Sequence, residues 1–204
     1  MNVMKIEELQ VQRAVDILVK AFAGDPMFQY IFKTPAEYKK IAQRLFSAWV
    51  KWSMKYGVAC ITEDENGVML LRKIGTTDMT LDEMIETGFV LSPSELGPDA
   101  FQLFYMEIAK DLEEKHTAIM GNTPHWYLWM LSADQEKKGS GSLLLQHGIH
   151  IADNEDLPFY LETSIQSNVT FYNKRGFELK DELNYEKGSF PFYFMMKPAK
   201  TLQQ

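Results

Sequence analysis

Cysteine is nearly absent from this sequence, and its scarcity excludes several kinds of site. The 204 residues include one cysteine, Cys60. A single thiol cannot form an internal disulfide or a cysteine-rich zinc site, so a reducing compartment fits the chain and we expect no metal. Cys60 lies in the apolar run 58–61, where a small buried hydrophobic side chain is the ordinary interpretation of a cysteine.

Long apolar runs are missing as well. No stretch approaches the ~18 apolar residues that a membrane span requires. The N-terminal residues 1–5 lack the charged and apolar regions of a signal peptide. These two absences lead us to expect a cytoplasmic protein with no membrane partner.

Positive charge is also in deficit. The chain has 21 lysines and arginines against 28 aspartates and glutamates, which gives a net charge of −7. It contains no basic stripe with interleaved aromatic side chains, so nucleic acid is not an expected partner. Hydrophobic residues make up 46% of the chain, which is enough for a proper core, and the length suits a single domain over residues 1–204.

The first half of the chain combines helical periodicity with a hairpin signal. Thr34 and Pro35 are suited to the N-cap and first position of a helix, and Gly57 ends the pattern that begins there. The Asn66-Gly67 pair between two β-rich runs is typical of a hairpin turn. The patterns predict helices over 6–22, 34–56, 80–90 and 99–117, and strands over 58–62 and 68–72.

The second half alternates strands and helices. The aromatic run 125–131 predicts a central strand, and Asn168 is suited to cap a helix over 169–174. The other predicted elements are a helix ending near Asp153 and strands over 159–162, 177–180 and 190–196. A strand, a glycine loop, a helix and a second strand form a β-α-β unit, in which anionic ligands bind at the helix N-terminus.

The loop between this strand and helix reads Glu136-Lys137-Lys138-Gly139-Ser140-Gly141-Ser142. Two glycines one residue apart let the backbone approach a ligand closely, and the free N–H groups of a first helical turn attract anions. Lys137 and Lys138 add positive charge that suits a pyrophosphate. The same residues fit a solvated lysine pair on an ordinary turn, and position alone favours the two alternatives equally. Leu144 replaces the third glycine of a dinucleotide motif, and the P-loop pattern is absent.

Three stretches of the C-terminal half carry a resemblance to a known family. They are His125-Trp126-Tyr127-Leu128, the glycine pair Gly139-Ser140-Gly141-Ser142 with Leu144-Leu145, and the segment 157–177 with Tyr160, Glu162, Asn168 and Tyr172. In order and spacing they resemble the Gcn5-related N-acetyltransferase superfamily, particularly the branch of puromycin N-acetyltransferase. The resemblance implies an α/β (α+β) fold in which helices flank a mixed central sheet, and splayed parallel strands form the acetyl-CoA site.

The resemblance also assigns parts of the chain to parts of that site. Residues 125–204 would form the acetyl-CoA-binding core, and residues 1–124 would shape the acceptor side. Acetyl-CoA would lie between the strands at 125–132 and 159–163. The implied cofactor-binding residues are Leu131, Ser132 and Ala133 for the pantetheine arm, Gly139, Ser140, Gly141 and Ser142 with Lys137 and Lys138 for the pyrophosphate, and Asn168 and Tyr172 near the pantetheine. Glu136 stands where the family usually has Gln or Arg.

Acetyl transfer to an amine needs a neutral amine, an oriented thioester and a proton for the leaving thiolate. For the base that takes the amine's proton, Glu162 is the first candidate, His125 the second and Glu107 a remote third. Glu162 fits equally well as a strand-end carboxylate that orients the substrate, and His125 fits better as a strand-start residue bonded to a backbone carbonyl.

The resemblance implies that Tyr172 protonates the departing CoA thiolate. A phenol pKa of about 10 is close enough to that of a thiol for such a transfer. The alternative is an ordinary helix tyrosine that packs by its ring.

These residues lead to one expected function and two alternatives. We expect a cytoplasmic, acetyl-CoA-dependent N-acetyltransferase that acts on a small-molecule primary amine, as a monomer or homodimer and without a metal. The first alternative is a non-catalytic CoA-responsive binding module. The second, more remote, is a nucleotide-binding protein that uses the same glycine loop.

Overall fold

A seven-stranded mixed sheet forms the centre of the computed structural model, which describes residues 2–75, 79–89, 91–133 and 139–203. In chain order the strands are β1 (Val3–Lys5), β2 (Val58–Thr62), β3 (Gly67–Ile74), β4 (His125–Ala133), β5 (Phe159–Thr163), β6 (Glu178–Tyr185) and β7 (Phe190–Lys197). They lie side by side in the order β1-β2-β3-β4-β5-β7-β6. Strands β4 and β5 are parallel, and the other neighbouring pairs are antiparallel. The predicted mixed α/β fold is confirmed.

Helices cover both faces of this sheet. They are α1 (Val11–Phe22), α2 (Pro26–Ile31), α3 (Pro35–Tyr56), α4 (Leu81–Thr87), α5 (Pro93–Leu96), α6 (Pro98–Phe101), α7 (Ala109–Met120), α8 (Ser140–Asn154) and α9 (Gln166–Asn173). A π-helix, Gln102–Ile108, joins α6 to α7, and 3₁₀ turns cover Glu8–Gln10 and Lys200–Gln203. Within the described residues, none of the helices has the length and apolarity to cross a bilayer.

Local signals correctly predicted α3 and the hairpin that follows it. Thr34 Oγ1 accepts a hydrogen bond from the Glu37 N–H at 3.2 Å, and the Glu37 carboxylate accepts one from the Thr34 N–H at 3.1 Å. This reciprocal cap fixes the start of α3. In the hairpin, Thr62 Oγ1 accepts hydrogen bonds from the N–H groups of Asn66 and Gly67, so the turn between β2 and β3 is satisfied by its own side chain.

The N-terminal helix is shorter than predicted, and a second helix was missed. The helix predicted over 6–22 begins only at Val11, because residues 3–5 pair with β2 as a strand and Glu8–Gln10 form a 3₁₀ turn. The short helix α2 was not predicted; Asp25 is its N-cap, and the Asp25 Oδ1 accepts hydrogen bonds from Met27 N and Phe28 N. Pro26 occupies the first helical position, where its missing N–H costs nothing.

Three further boundaries differ from the predictions. The helix predicted over 99–117 is divided among α6, the π-helix and α7. The strand predicted over 177–180 continues to Tyr185, because β6 pairs with β7 along its whole length. Asn168 is not the cap of α9, since this helix begins at Gln166 with Ile165 as its N-cap.

Alternate residues of each central strand face two apolar layers. Leu70 of β3 packs in the layer that contains α1 and α3, whereas its neighbours Met69 and Leu71 pack in the layer that contains α8. Gly148 allows α8 to lie close to the sheet, because a Cβ there would come within 3.1 Å of Met69 Sδ and of the Phe159 ring. Cys60 is buried in the α8 layer as predicted.

Strands β4 and β5 separate before β4 ends. Their parallel pairing runs from Trp126↔Phe159 to Leu128↔Leu161 and then stops. At the same point Trp129 is an extra residue between Leu128 and Met130, which pair with consecutive residues of β3. A bulge of this kind bends a strand and increases its twist. The predicted splay between these two strands is therefore present.

Candidate active site

A groove of about 840 Å³ begins where β4 and β5 separate. Its lining includes Leu131, Ser132 and Ala133 of β4, Gly139, Gly141 and Ser142 at the start of α8, and Asn168 and Tyr172 of α9. Ser140 is fully buried beside them. Lys137, Lys138 and Glu136 lie outside the described residues.

The β4 side of this groove is suited to bind an extended ligand. Beyond Leu128, the described β4 main chain pairs with β3 on one side and with no residue of β5 on the other. Ser132 Oγ is buried and has no hydrogen-bond partner among the described residues. An unpaired strand edge and an unsatisfied hydroxyl are features that a ligand with amide groups would complete.

The α8 side of the groove is suited to an anion. Gly139 has a φ of 112°, which favours glycine, and it is the N-cap of the helix. The first N–H groups of a helix have no partner within it, and Gly139, Gly141 and Ser142 at the start of α8 line the groove. Gly141 lies close to β4: a Cβ at this position would be 3.4 Å from the Cβ of Ala133, at van der Waals contact.

A second cavity of about 410 Å³ lies on the inner side of the same opening. Tyr172, Asn168 and Leu131 line both the groove and this inner cavity. The Asn168 amide donates to Thr163 Oγ1 at 3.0 Å, so its side chain turns back toward the end of β5. Because Asn168 and Tyr172 both belong to α9, the groove and the inner cavity meet beside this helix.

Glu162, at the end of β5, is a carboxylate of the inner cavity that two tyrosine hydroxyls hold in place. Tyr160 Oη donates to its Oε1 at 2.9 Å, and Tyr127 Oη donates to its Oε2 at 3.1 Å. Tyr127 and Tyr160 are register partners across β4 and β5, which places both hydroxyls on one face. Burial raises the pKa of Glu162 to about 7, although the two tyrosine donors act to lower it. Near neutral pH this group can therefore accept or release a proton.

Comparison with known proteins gives the fold a name. No protein-family model matches the chain. An uncharacterised N-acetyltransferase of Schizosaccharomyces pombe is 25% identical over 209 residues, which cover 98% of this chain and 85% of that protein.

Two solved structures cover nearly the whole chain. One is a histone acetyltransferase HPA2 and related acetyltransferase from Corynebacterium glutamicum, with 22% identity, a TM-score of 0.61 and coverage of 97% of this chain and 96% of that one. The other is arylalkylamine N-acetyltransferase 2 from Aedes aegypti, with 18% identity, a TM-score of 0.63 and coverage of 97% and 98%. The chain has the Gcn5-related N-acetyltransferase fold.

Within this acetyltransferase fold, His125 lies behind the inner cavity. It is buried, and its Nδ1 is 2.7 Å from the carbonyl oxygen of Thr123, which can only accept. Its Nε2 is 2.7 Å from His116 Nε2, so with both rings neutral the proton between them belongs to His116. His116, and not His125, lines the cavity. The alternative predicted for His125, a bond to a backbone carbonyl, is the contact observed.

Glu107, the third candidate base, is on the π-helix and points elsewhere. Its Oε2 accepts a hydrogen bond from Lys187 Nζ at 2.9 Å. It is not among the residues that line the inner cavity. Its ion pair with Lys187 instead connects the π-helix to the turn between β6 and β7.

The histidine pair has a consequence for stability. Burial, together with the charges of His125 and Arg72, lowers the pKa of His116 from 6.5 to about 4. Between these values the unfolded chain binds a proton that the folded protein does not, so stability falls as the pH is lowered through this window. We therefore expect the free energy of unfolding of the His116→Gln variant to fall by about 1 to 2 kcal/mol less than that of the unmodified protein when the pH is lowered from 7 to 4.5.

Urea denaturation at the two pH values would measure this difference. Gln146→Asn, an exposed change on α8 that removes no ionisable group, serves as the control and should lose as much stability over this pH range as the unmodified protein. Parallel losses for all three proteins would show that His116 does not titrate as described.

Sequence reasoning missed several residues of this region. Arg175 donates from Nη2 to Ser142 Oγ and from Nη1 to the Phe171 carbonyl, each at 2.6 Å, and its guanidinium lies 3.7 Å from the Phe171 ring centroid. It thus places a fixed cation beside the start of α8. His116 was also missed, because its partner His125 belongs to a different element and no local pattern connects the two.

Proposed function

We propose that this chain is an N-acetyltransferase that transfers the acetyl group of acetyl-CoA to the primary amine of a small molecule. The observation that carries the proposal is the meeting of two spaces at Tyr172 and Asn168: a groove suited to an extended anionic carrier, and a cavity that holds Glu162. The similarity to a protein named as an N-acetyltransferase, over 98% of the chain, supports it. So do the motifs in residues 125–182, on which we also propose membership of the puromycin N-acetyltransferase branch.

The groove would hold acetyl-CoA, which supplies the acetyl group as a thioester when bound. The β4 main chain from Leu131 to Ala133 would pair with the amides of the pantetheine arm in the manner of an added strand. The first turn of α8, from Gly139 to Ser142, would bind the pyrophosphate through main-chain N–H groups. Arg175 would contribute positive charge at that point, and we keep Lys137 and Lys138 in the same proposed role.

Glu162 would act as the base. Its pKa of about 7 lets it take a proton from the amine nitrogen near neutral pH. As the new C–N bond forms and the C–S bond breaks, Tyr172 would give its proton to the departing sulfur. Burial raises the pKa of Tyr172, so its hydroxyl stays protonated until then, and it is a weaker acid than the free phenol assumed from the sequence. An amine that binds as a cation first loses one proton to water through Glu162. During the transfer one further proton leaves the nitrogen and one reaches the sulfur, and water returns the proton of Glu162 to the tyrosine.

The remaining proposals concern the whole molecule. We propose one domain over residues 1–204, in which the N-terminal 124 residues shape the acceptor side. We further propose that it works in the cytoplasm, as a monomer or homodimer, and without a metal.

The direct test is release of free thiol when the purified protein is mixed with acetyl-CoA and a panel of primary amines. We expect turnover with at least one amine and none without an amine. CoA binding with no turnover across a broad panel would favour a CoA-responsive binding module. Calorimetry that shows no heat with millimolar acetyl-CoA, or a thermal shift with ATP or NAD and not with CoA, would overturn the proposal.

A further inference from the structure

The inner cavity has two chemically different ends. Its polar end lies at the C-terminal end of β5, where Ser164 Oγ donates to Asp25 Oδ2 at 2.7 Å and Asn168 donates to Thr163 Oγ1 at 3.0 Å. Glu162 belongs to the same run of residues. The rest of the lining is mainly aromatic side chains and methionine, and includes Met27, Trp49, Met84, Phe89, Phe104, Tyr105, Trp129 and Phe192.

Three aromatic rings from separate elements form one wall of the apolar end. The ring centroid of Trp129 is 4.9 Å from that of Trp49 and 5.6 Å from that of Phe89, with interplanar angles of 33° and 25°. Trp129 and Phe89 are only half-buried, so they leave ring surface accessible to the cavity. Flat, rigid rings of this kind bind other flat rings at little cost in conformational entropy.

The π-helix forms a second part of the apolar lining. It presents Phe104, Tyr105 and Ile108 to the cavity, and α7 continues the same face with Ala109 and Leu112. The backbone N–H of Ala109 bonds to the carbonyl of Phe104, five residues earlier. Such wide turns are rare and occur frequently at functional sites. Here the extra residue per turn brings two adjacent aromatic side chains to one side.

The distance between the two ends sets the length of the acceptor. Tyr127, whose hydroxyl donates to Glu162, and Trp129 are two residues apart on β4. Neighbouring residues on a regular strand rise by about 3.3 Å, and Trp129 is the extra residue of the bulge, so the candidate base and the aromatic wall are separated by at most roughly 7 Å along the strand. A spacer of a few bonds between an amine and a ring covers this distance.

Charge in the cavity favours a cationic amine with an uncharged body. Among the described lining residues, the carboxyl groups are Asp25, Glu113 and Glu162, against the guanidinium of Arg72. The Arg72 guanidinium lies 5.0 Å from the Trp129 ring centroid, so it forms part of the aromatic wall. Long polyamines and sugars would place further polar groups against the apolar walls, where nothing replaces their hydrogen bonds to water.

From these observations we infer the substrate class of the site, an inference that rests on the proposed function. The acceptor is a primary amine attached through a short aliphatic spacer to a flat aromatic ring. The ring lies between the wall of Trp129 and Phe89 and the π-helix, and the amine lies at Glu162.

The test compares 2-phenylethylamine with putrescine, a polar diamine of similar length, as acceptors. We expect kcat/KM for 2-phenylethylamine to be at least about 100-fold higher, because burial of the ring adds its full hydrophobic contribution. In the Trp129→Ala variant we expect the value for 2-phenylethylamine to fall by about 10- to 100-fold, and the value for putrescine to change by less than about threefold.

Two further variants keep this test decisive. Phe89→Ala removes a half-buried ring next to the short helix α4. It should reduce the ratio of kcat/KM for 2-phenylethylamine to kcat/KM for putrescine, and it replaces Trp129→Ala in the test if that variant does not fold. Trp126→Phe changes an aromatic residue of the same strand that packs in the α8 layer, so the ratio should stay as in the unmodified protein. Equal or faster acetylation of putrescine, or an unchanged ratio in both wall variants, would overturn the inferred substrate class and leave the acetyltransferase proposal standing. Failure of every amine together with no binding of CoA would instead remove the proposed function itself.

Discussion

Replacing Glu162 with glutamine is expected to lower kcat/KM for the amine acceptor by about 100- to 10,000-fold, the usual contribution of a positioned acid or base. Glutamine has nearly the same shape: its Oε1 can accept a hydrogen bond from one of the two tyrosines and its amide can donate to the hydroxyl oxygen of the other, but it cannot take a proton. The affinity for acetyl-CoA should stay within about twofold, because Glu162 lines the inner cavity and not the groove. Steady-state kinetics and calorimetry on the same preparation would measure both quantities.

The pH profile distinguishes a base from a residue that only orients the substrate. In the unmodified protein kcat/KM should rise with pH through about 7, as Glu162 loses its proton. The Glu162→Gln variant should lack this rise. Tyr127→Phe should move it to higher pH, because removal of a hydrogen-bond donor disfavours the charged carboxylate. A glutamine variant with nearly full activity and the same pH profile would show that the amine loses its proton to water or to another group.

The fold was predictable wherever a short segment specifies its own structure. The cap at Thr34 and the turn at Asn66-Gly67 are satisfied by neighbouring residues, and the elements that they define were predicted nearly to the residue. Strand β1 was not predicted, because three residues gain strand structure only by pairing with β2. The π-helix was missed for a similar reason, since its sequence fits an ordinary helix and its distinction lies in the backbone.

The groove and the inner cavity also differed in how far the sequence could predict them. The groove is built largely from consecutive residues, such as the Gly139-Ser140-Gly141-Ser142 run, so a motif could indicate it. The inner cavity brings together side chains that are far apart in the chain, among them Trp49, Phe89 and Trp129. No spacing in the sequence indicates such a cluster, because its members become neighbours only when α3 and the segment after α4 fold over β4.

Replacing Tyr172 with phenylalanine should lower kcat by about 100-fold or more, if the leaving sulfur depends on this hydroxyl for its proton. Tyr172 lines both the groove and the inner cavity. The ring packs against Phe171 and Phe177, with centroids 5.2 and 5.6 Å away, and phenylalanine would keep those contacts. The change therefore removes a proton donor and leaves the packing in place, so the affinity for acetyl-CoA should change by no more than about twofold.

Tyr193→Phe provides the matched control for this prediction. Tyr193 is equally buried, on β7, but it is not among the residues that line either space, so loss of its hydroxyl should leave kcat unchanged. Thermal denaturation of both variants would verify that neither has lost its fold. If Tyr172→Phe kept full kcat while both variants remained folded, Tyr172 would be a packing residue of α9, and the proton for the sulfur would have to come from water in the groove. A fall in kcat at constant affinity would instead tie the chemistry to the point where the carrier groove opens into the acceptor cavity.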